Sequence, residues 1–320
     1  MLPNFLHIGA EKSGTTWLYS RLRRHPDIFM PDVKELHYFN SKNSNPKSSA
    51  NNFETQDLDW YKEHFKEAED ENAIGEATPM YLCDPKAPAR IHEAIPDIKL
   101  IACLRYSTDR AYSHYWMARG KGHTSMSFEE VVQSREARFI ERGRYARQIE
   151  RYLDYFACDQ ILILIHEEVF DAPSESLNKI CSFLGVDDTF YRNQSWITKR
   201  VHPASTERSI LLHRAIGTLA TWMRAHEGFR QVLDWIKEVG IAKWVKQANK
   251  RERDYPEMAD KSRRDLDGYY VPTIHRVEQI LGRQVKKWRS RSTRDLTEPS
   301  LDAQVGEGAI HDSTSEEVTP

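Results

Sequence analysis

Asn4-Phe5-Leu6-His7-Ile8-Gly9-Ala10-Glu11-Lys12-Ser13-Gly14-Thr15-Thr16-Trp17-Leu18 is the stretch that decides the fold. Asn4 to Ile8 is a short apolar run that stops at Gly9. A loop with a second glycine follows, and Thr15 to Arg24 then reads as a helix. Trp17, Leu18 and Leu22 share one face of it, and His25-Pro26 ends it. Strand, glycine loop and helix together open an α/β unit. A loop of this kind turns several backbone N–H groups toward one point, where the helix dipole adds partial positive charge, so an anion is favoured there. Lys12 adds a mobile full charge, and Thr15 and Thr16 add hydroxyl donors.

Two further runs, Ile98–Leu104 and Ile161–Ile165, are short, rich in Ile and Leu, and do not alternate, as strands buried on both faces of a parallel sheet do. Asn72–Gly75 reads as a short strand leading to a turn at Thr78-Pro79, and Asn43–Asn52 as a polar loop. Helical or polar stretches separate the runs, which predicts β/α alternation and a doubly wound parallel sheet flanked by helices. From Ser205 to Arg253 the spacing is helical and amphipathic, with Ile210, Leu211, Ile216, Leu219, Trp222 and Met223 along one side. We read this stretch as a helical cap. The competing reading is an acceptor-facing or membrane-surface helix, suggested by Arg214, Arg224, Arg230, Lys237 and Lys243 on the other side. The expected division is one domain over 1–289, with 205–253 as a helical elaboration within it, and a disordered tail over 290–320.

Composition excludes several classes. Across 320 residues, 46 Lys+Arg face 48 Asp+Glu for a net charge of −2, so this is not a globally basic nucleic-acid binder. No apolar run reaches the ~18–20 residues of a membrane span. Met1-Leu2-Pro3-Asn4-Phe5 lacks the basic start and apolar stretch of a secretory signal. Cys83, Cys103, Cys158 and Cys181 are scattered with no C-x-x-C spacing, which suits buried thiols in a reducing compartment rather than disulfides or a zinc site. A cytoplasmic protein is expected. The sequence does not indicate an oligomeric state.

The order of the glycine loop separates it from the magnesium–nucleotide loop G-x-x-x-x-G-K-[ST], since Lys12 here precedes Gly14 by two positions. No apolar strand ends in a lone Asp to hold magnesium, which disfavours ATP-dependent phosphoryl transfer. A second anion site is visible where Ile98–Leu104 runs into Arg105-Tyr106-Ser107-Thr108-Asp109-Arg110-Ala111-Tyr112-Ser113. Arg105 at a strand end can hold a phosphate with two parallel N–H bonds, and Ser113 adds a hydroxyl from the next helix.

Glu11–Leu18 resembles the 5′-phosphosulfate loop of the sulfotransferases that use 3′-phosphoadenosine 5′-phosphosulfate (PAPS), and Arg105–Tyr115 resembles that family's 3′-phosphate segment. Thr198-Lys199-Arg200-Val201-His202-Pro203 is similar to the basic loop that closes over the nucleotide. Tyr269-Tyr270-Val271-Pro272 through Leu281-Gly282-Arg283 and Trp288 is similar to the family's closing helix. The resemblance implies a P-loop-like fold and PAPS as co-substrate, with no metal. It assigns PAPS binding to Lys12, Ser13, Gly14, Thr15, Thr16, Trp17, Arg105, Ser113, Lys199 and Arg200, and a catalytic role to Lys12.

Lys34-Glu35-Leu36-His37-Tyr38-Phe39 looks like the Glu-x-His-aromatic-Phe segment of the heparan sulfate sulfotransferases, whose glutamate removes the acceptor proton. That implies Glu35 as the base, with His37 as its rival. Two residues apart, they would point the same way on an extended stretch. The sequence departs from the pattern in two places. Gly75-Glu76-Ala77-Thr78-Pro79-Met80-Tyr81 has Ala77 where several glycosaminoglycan enzymes carry Lys, and the cysteine pair of the secreted relatives is absent. Gly143-Arg144-Tyr145 resembles an acceptor-facing loop, the competing reading being side chains that merely cap a helix. The resulting expectation is sulfuryl transfer to a hydroxyl or amine, on a carbohydrate acceptor before a lipid, polyketide or other hydroxylated metabolite. A P-loop small-molecule kinase and a catalytically silent nucleotide-binding protein are the alternatives.

Overall fold

Strand β1 (Phe5–Gly9) is buried along its whole length and carries the sheet. It pairs in parallel with β3 (Ala73–Ala77) on one side and β4 (Lys99–Leu104) on the other, Phe5 standing opposite both Gly75 and Lys99. β2 (Ile28–Phe29) extends the sheet beyond β3, and β5 (Ile161–Ile165) extends it beyond β4, giving the order β2-β3-β1-β4-β5 with all pairings parallel. From β1 the chain crosses to the edge strand β2 and returns inward through β3, then passes β1 to reach β4 and β5, so the connections leaving the neighbouring ends of β1 and β4 head to opposite sides of the sheet. In open α/β sheets, ligands bind at such a switch point, at the carboxyl ends of the strands. This computed structural model describes residues 1–41, 52–192, 194–198, 205–207, 250–252 and 255–292. Among these residues no helix is long and apolar enough to cross a membrane.

Helix α1 (Thr15–Leu22) follows β1 through the glycine loop and buries Trp17, Leu18 and Leu22. It stops two residues short of the expected Arg24. The Arg24 and His25 amides bond back to Arg21 and Leu22 in a tightened last turn, because Pro26 bars α geometry at the residue before it. α2 (Leu58–Glu63), α3 (Ala87–Ala94), α4 (Ser107–Gly120), α5 (Phe128–Gln133), α6 (Tyr145–Leu153), α7 (His166–Asp171) and α8 (Pro173–Leu184) complete the alternation, so the α/β expectation holds. β3 runs past the expected Gly75 to Ala77, carrying the charged Glu76 into the interior, where it is 1% exposed.

The helical reading of Ser205–Arg253 needs correcting at both ends. Ser205–Glu207 (β6) and Lys250–Glu252 (β7) pair as an antiparallel two-stranded sheet. Backbone pairing where a segment leaves and returns to a domain is a tertiary event that side-chain periodicity does not report. Residues 208–249 lie outside the described residues, as do residues 293–320 of the tail expected over 290–320, whereas residues 290–292 are helical and not disordered. α9 (Asp260–Leu281) is continuous through Pro272. Its Tyr270 hydroxyl donates to the Ile140 carbonyl at 2.7 Å, and its Thr273 hydroxyl accepts from the Ala146 amide at 3.1 Å. Met1–Val285 forms one compact unit, and α10 (Lys286–Ser292) belongs to a second that begins at Lys286. All four cysteines are free. Cys103 and Cys181 are buried, but Cys158 is exposed, contrary to expectation, because it opens a surface turn before β5.

β3 packs closely on β1, since a Cβ on Gly75 would overlap the Phe5 ring. Gly75→Ala should lower stability by about 1–3 kcal/mol, the cost of overpacking a filled core, read as a lower urea midpoint at unchanged slope. An unchanged midpoint would show that the Phe5 ring moves freely.

Candidate active site

Four polypeptide segments meet at the carboxyl ends of β1, β3 and β4. The first is the loop Gly9–Gly14. Its Ala10 amide is fixed by the Cys103 carbonyl of β4 at 2.8 Å, and Lys12 has a left-handed φ of 70°. Gly14, at φ 83°, is the residue before α1 and has no side chain to cap the helix. The first-turn amides therefore stay available to an anion. A Cβ at Gly14 would collide with Phe170, which stacks tilted on Trp17 at 5.0 Å. The Thr15 and Thr16 hydroxyls, from the first turn of α1, have no hydrogen-bond partner among the described residues. Ser13 differs, because it is fully buried with its hydroxyl against the Tyr145 phenol.

The second segment is the end of β4. Arg105 donates from Nη1 to the Lys12 carbonyl at 3.3 Å, so the two cations named from sequence sit on adjacent strand ends joined by a hydrogen bond. Ser113 is half-buried in the second turn of α4, and its hydroxyl likewise has no partner among the described residues. The Lys12 ammonium lies 3.6 Å from Met117 Sδ, also on α4. Burial and the charges of Arg105, Lys121 and Arg110 outweigh Glu11 and push its pKa down to about 8. Glu11 is held by Arg142 at 2.7 Å and lies 3.6 Å from His114 Nε2. Burial, helped by Arg110, Arg142 and Arg138, drives the His114 pKa far down and keeps that ring neutral.

The third segment carries Glu35 and His37. Both residues have left-handed φ, 65° and 60°, so the expected extended stretch is absent. The two side chains still converge, with His37 Nε2 3.8 Å from a Glu35 carboxylate oxygen. Backbone anchoring dictates the shape. The Glu35 amide donates to Ala77 O at 3.1 Å, the Leu36 amide to the Glu76 carboxylate, and the His37 amide to Thr78 Oγ1 at 3.4 Å. Glu76 also accepts from Tyr61, Tyr81 and Thr78, and burial raises its pKa. The Glu35 side chain is 35% exposed and bonded to Lys34 at 2.5 Å, whereas the His37 ring is 2% exposed with Nδ1 2.8 Å from Asn40 Oδ1.

The fourth segment closes a cleft of about 580 Å³, lined by Ser41, Met80, Cys83 and Asp84 on one wall and by Arg142, Arg144, Arg147 and Arg151 on the other. Cys83, Arg142 and Gln148 also line a small cavity against Ala10 and Glu11, so cleft and glycine loop share a wall. In Gly143-Arg144-Tyr145 the two side chains part company. Arg144 sits at the N-cap position of α6 with no side-chain capping bond and lines the cleft, while Tyr145 is fully buried. Lys199 and Arg200 lie outside the described residues.

Residues 2–208 match the sulfotransferase domain family. The chain belongs to that family. The sulfotransferase of Alicyclobacillus acidocaldarius shares the fold with a TM-score of 0.65 at 26% identity, covering 90% of this chain and 99% of that one. Membrane-associated sulfotransferase kil1 of Dictyostelium discoideum is 37% identical over 164 residues, 48% of this chain and 32% of its own length. Human bifunctional heparan sulfate N-deacetylase/N-sulfotransferase 3 is 28% identical over 312 residues, 90% of this chain and 31% of its own. Mouse heparan sulfate glucosamine 3-O-sulfotransferase 3A1 is 30% identical over 207 residues, 61% of this chain and 50% of its own. The chain thus spans half or less of the length of the Dictyostelium, human and mouse relatives.

Several residues of this candidate site were not singled out from sequence. Met117 beside Lys12, the Glu11–Arg142 pair, and Phe170 with His166 over Gly14 come from positions remote in the chain. Asn40 and Asp84 follow the same rule, their link at 3.3 Å crossing 44 positions. Only Asn40, three residues after His37, left a local signal.

The depressed Lys12 pKa has a consequence for stability. Between about pH 8 and 10.5 the unfolded chain holds a proton on Lys12 that the folded chain has lost, so folding gains stability as pH rises through that window. Lys12→Met should be more stable than the parent at pH 7, with the gap in urea midpoint narrowing above pH 8. A gap constant from pH 7 to 10 would show that Lys12 titrates normally.

Proposed function

We propose that this sulfotransferase moves a sulfuryl group from PAPS to a hydroxyl, or an amine, of a carbohydrate acceptor. The reading rests on one observation above the others: Lys12 and Arg105, on neighbouring strand ends, are tied by a 3.3 Å bond at the switch point of the sheet. Two cations so coupled fit a carrier that is charged at both ends. The carbohydrate part is supported by the heparan sulfate relatives and by the Glu35–Phe39 segment.

The residues present suit this co-substrate. The first-turn amides of α1 and the unpartnered Thr15 and Thr16 hydroxyls would hold the 5′-phosphate. Arg105 and Ser113, with Lys199 and Arg200, would hold the 3′-phosphate. Gly14 gives the close approach, Trp17 packs beneath, and Ser13 contributes backbone alone, its hydroxyl being turned inward to Tyr145. PAPS supplies an activated sulfuryl group whose sulfur–oxygen bond to phosphate breaks as the acceptor oxygen bonds to sulfur.

Lys12 stabilises the negative charge that develops on the departing phosphate oxygen, a preorganised electrostatic role that is commonly the largest catalytic contribution. Glu35 takes the acceptor proton, because it is the member of the pair that reaches solvent. His37, buried and fixed by Asn40, positions the Glu35 carboxylate.

Labelled donor incubated with a panel of glycans, lipids and phenols should mark a glycan. Lys12→Ala should slow transfer by ~10²–10³, on the order of 3–4 kcal/mol. Adenosine 3′,5′-bisphosphate at ~100 times its dissociation constant should stabilise the fold by ~2.7 kcal/mol, where ATP does little, and Arg105→Gln should remove that gain. Normal turnover by Lys12→Ala, or preference for ATP, would overturn the proposal.

A further inference from the structure

The geometry points to an acceptor that carries its own anionic group, a carboxylate or an existing sulfate ester, read by Arg147 and Arg151 on α6; this rests on the sulfotransferase reading above. Four guanidiniums and two carboxylates line the 580 Å³ cleft. The carboxylates are already engaged within the protein. Asp84 accepts from the Ser41 amide at 2.7 Å, the Ser41 hydroxyl at 2.8 Å and the Lys86 amide at 2.9 Å. Glu141 accepts from Arg144 at 3.1 Å and from the Tyr269 hydroxyl. Arg142 is spent on Glu11 at 2.7 Å.

Arg147 and Arg151 remain. No carboxylate pairs with either among the described residues, and the Arg151 Nη2 contact is a backbone carbonyl, that of Cys83 at 3.3 Å. They stand four residues apart on one face of α6, with Arg144 three residues before them at the cap. Like charges at this spacing repel, so a helix carrying them is relieved by an anion laid across the row. Glu150, the acid nearest in sequence, is turned away and bound by Arg276 of α9 at 2.6 Å. Meanwhile position 77, at the end of β3, is an alanine with no exposure. On this chain the positive charge facing the cleft comes from α6 rather than from that strand.

Guanidiniums select for anions that offer two parallel acceptor oxygens, which carboxylate and sulfate ester both do. A neutral sugar would leave the charges of Arg147 and Arg151 without an anionic partner.

The test uses the full chain loaded with adenosine 3′,5′-bisphosphate and follows binding by calorimetry. Fragments of polygalacturonate, alginate, hyaluronan and heparosan are each compared with their carboxyl-methyl esters, and dextran sulfate is compared with dextran. At least one charged fragment should bind better than its neutral counterpart. Arg147→Gln and Arg151→Gln should each weaken that binding roughly tenfold, the scale of one charge-assisted hydrogen bond. The neutral fragments and the bisphosphate should bind as before, and any transfer should show the loss in KM with kcat held. The uronate and dextran sulfate arms separate the two anion types. If no charged fragment outbinds its neutral form, or both variants bind it as the parent does, the inference fails. A chain that binds the bisphosphate and sulfates neutral glycans indifferently to both substitutions sinks this inference alone. One that ignores the bisphosphate sinks the sulfotransferase chemistry with it.

Discussion

Parallel hydrogen bonding of β1 to β3 on one flank and β4 on the other is the constraint from which the site follows. Three strands that point the same way deliver their carboxyl ends to one edge, and each end releases a different functional segment. β1 releases the glycine loop, β3 releases Glu76–Thr78, and β4 releases Arg105. An antiparallel partner in place of either neighbour would carry its segment to the opposite edge. The buried, non-alternating strands make this arrangement stable, because both faces of the sheet are covered by helices.

Lys12 illustrates what the site costs the fold. Burial and neighbouring guanidiniums hold its pKa at about 8, so its charged form is disfavoured by the protein alone. A full negative charge beside it would reverse that balance. The same crowding of cations that burdens the folded chain becomes attractive toward a doubly phosphorylated ligand. Function and stability oppose each other at this residue.

How much was legible from sequence depends on how local each signal is. The β1–loop–α1 unit was readable because Gly9, Gly14 and the apolar spacing lie within a few residues. Ile161–Ile165 was read to its final boundaries, and Lys99–Leu104 to within one residue. The left-handed backbone at Glu35 and His37 was not readable, since it is imposed by Glu76, Ala77 and Thr78 some forty positions away. Burial of Glu76 was hidden for a similar reason, its partners Tyr61 and Tyr81 coming from two other segments. Arg147 and Arg151 were passed over because charges at helical spacing read as a solvated face until the opposite wall of the cleft is in view. Lys199 and Arg200 remain assigned by resemblance.

The suspension of residues 35, 36 and 37 from residues 77, 76 and 78 separates a mounting from the part it carries. All three attachments are donated by backbone amides, so none of them depends on which side chain occupies position 35 or 37. The proposed proton acceptor is therefore an interchangeable fitting on a fixed bracket. A lineage could exchange carboxylate for imidazole there, and so retune the acceptor hydroxyls it activates, without redrawing the scaffold.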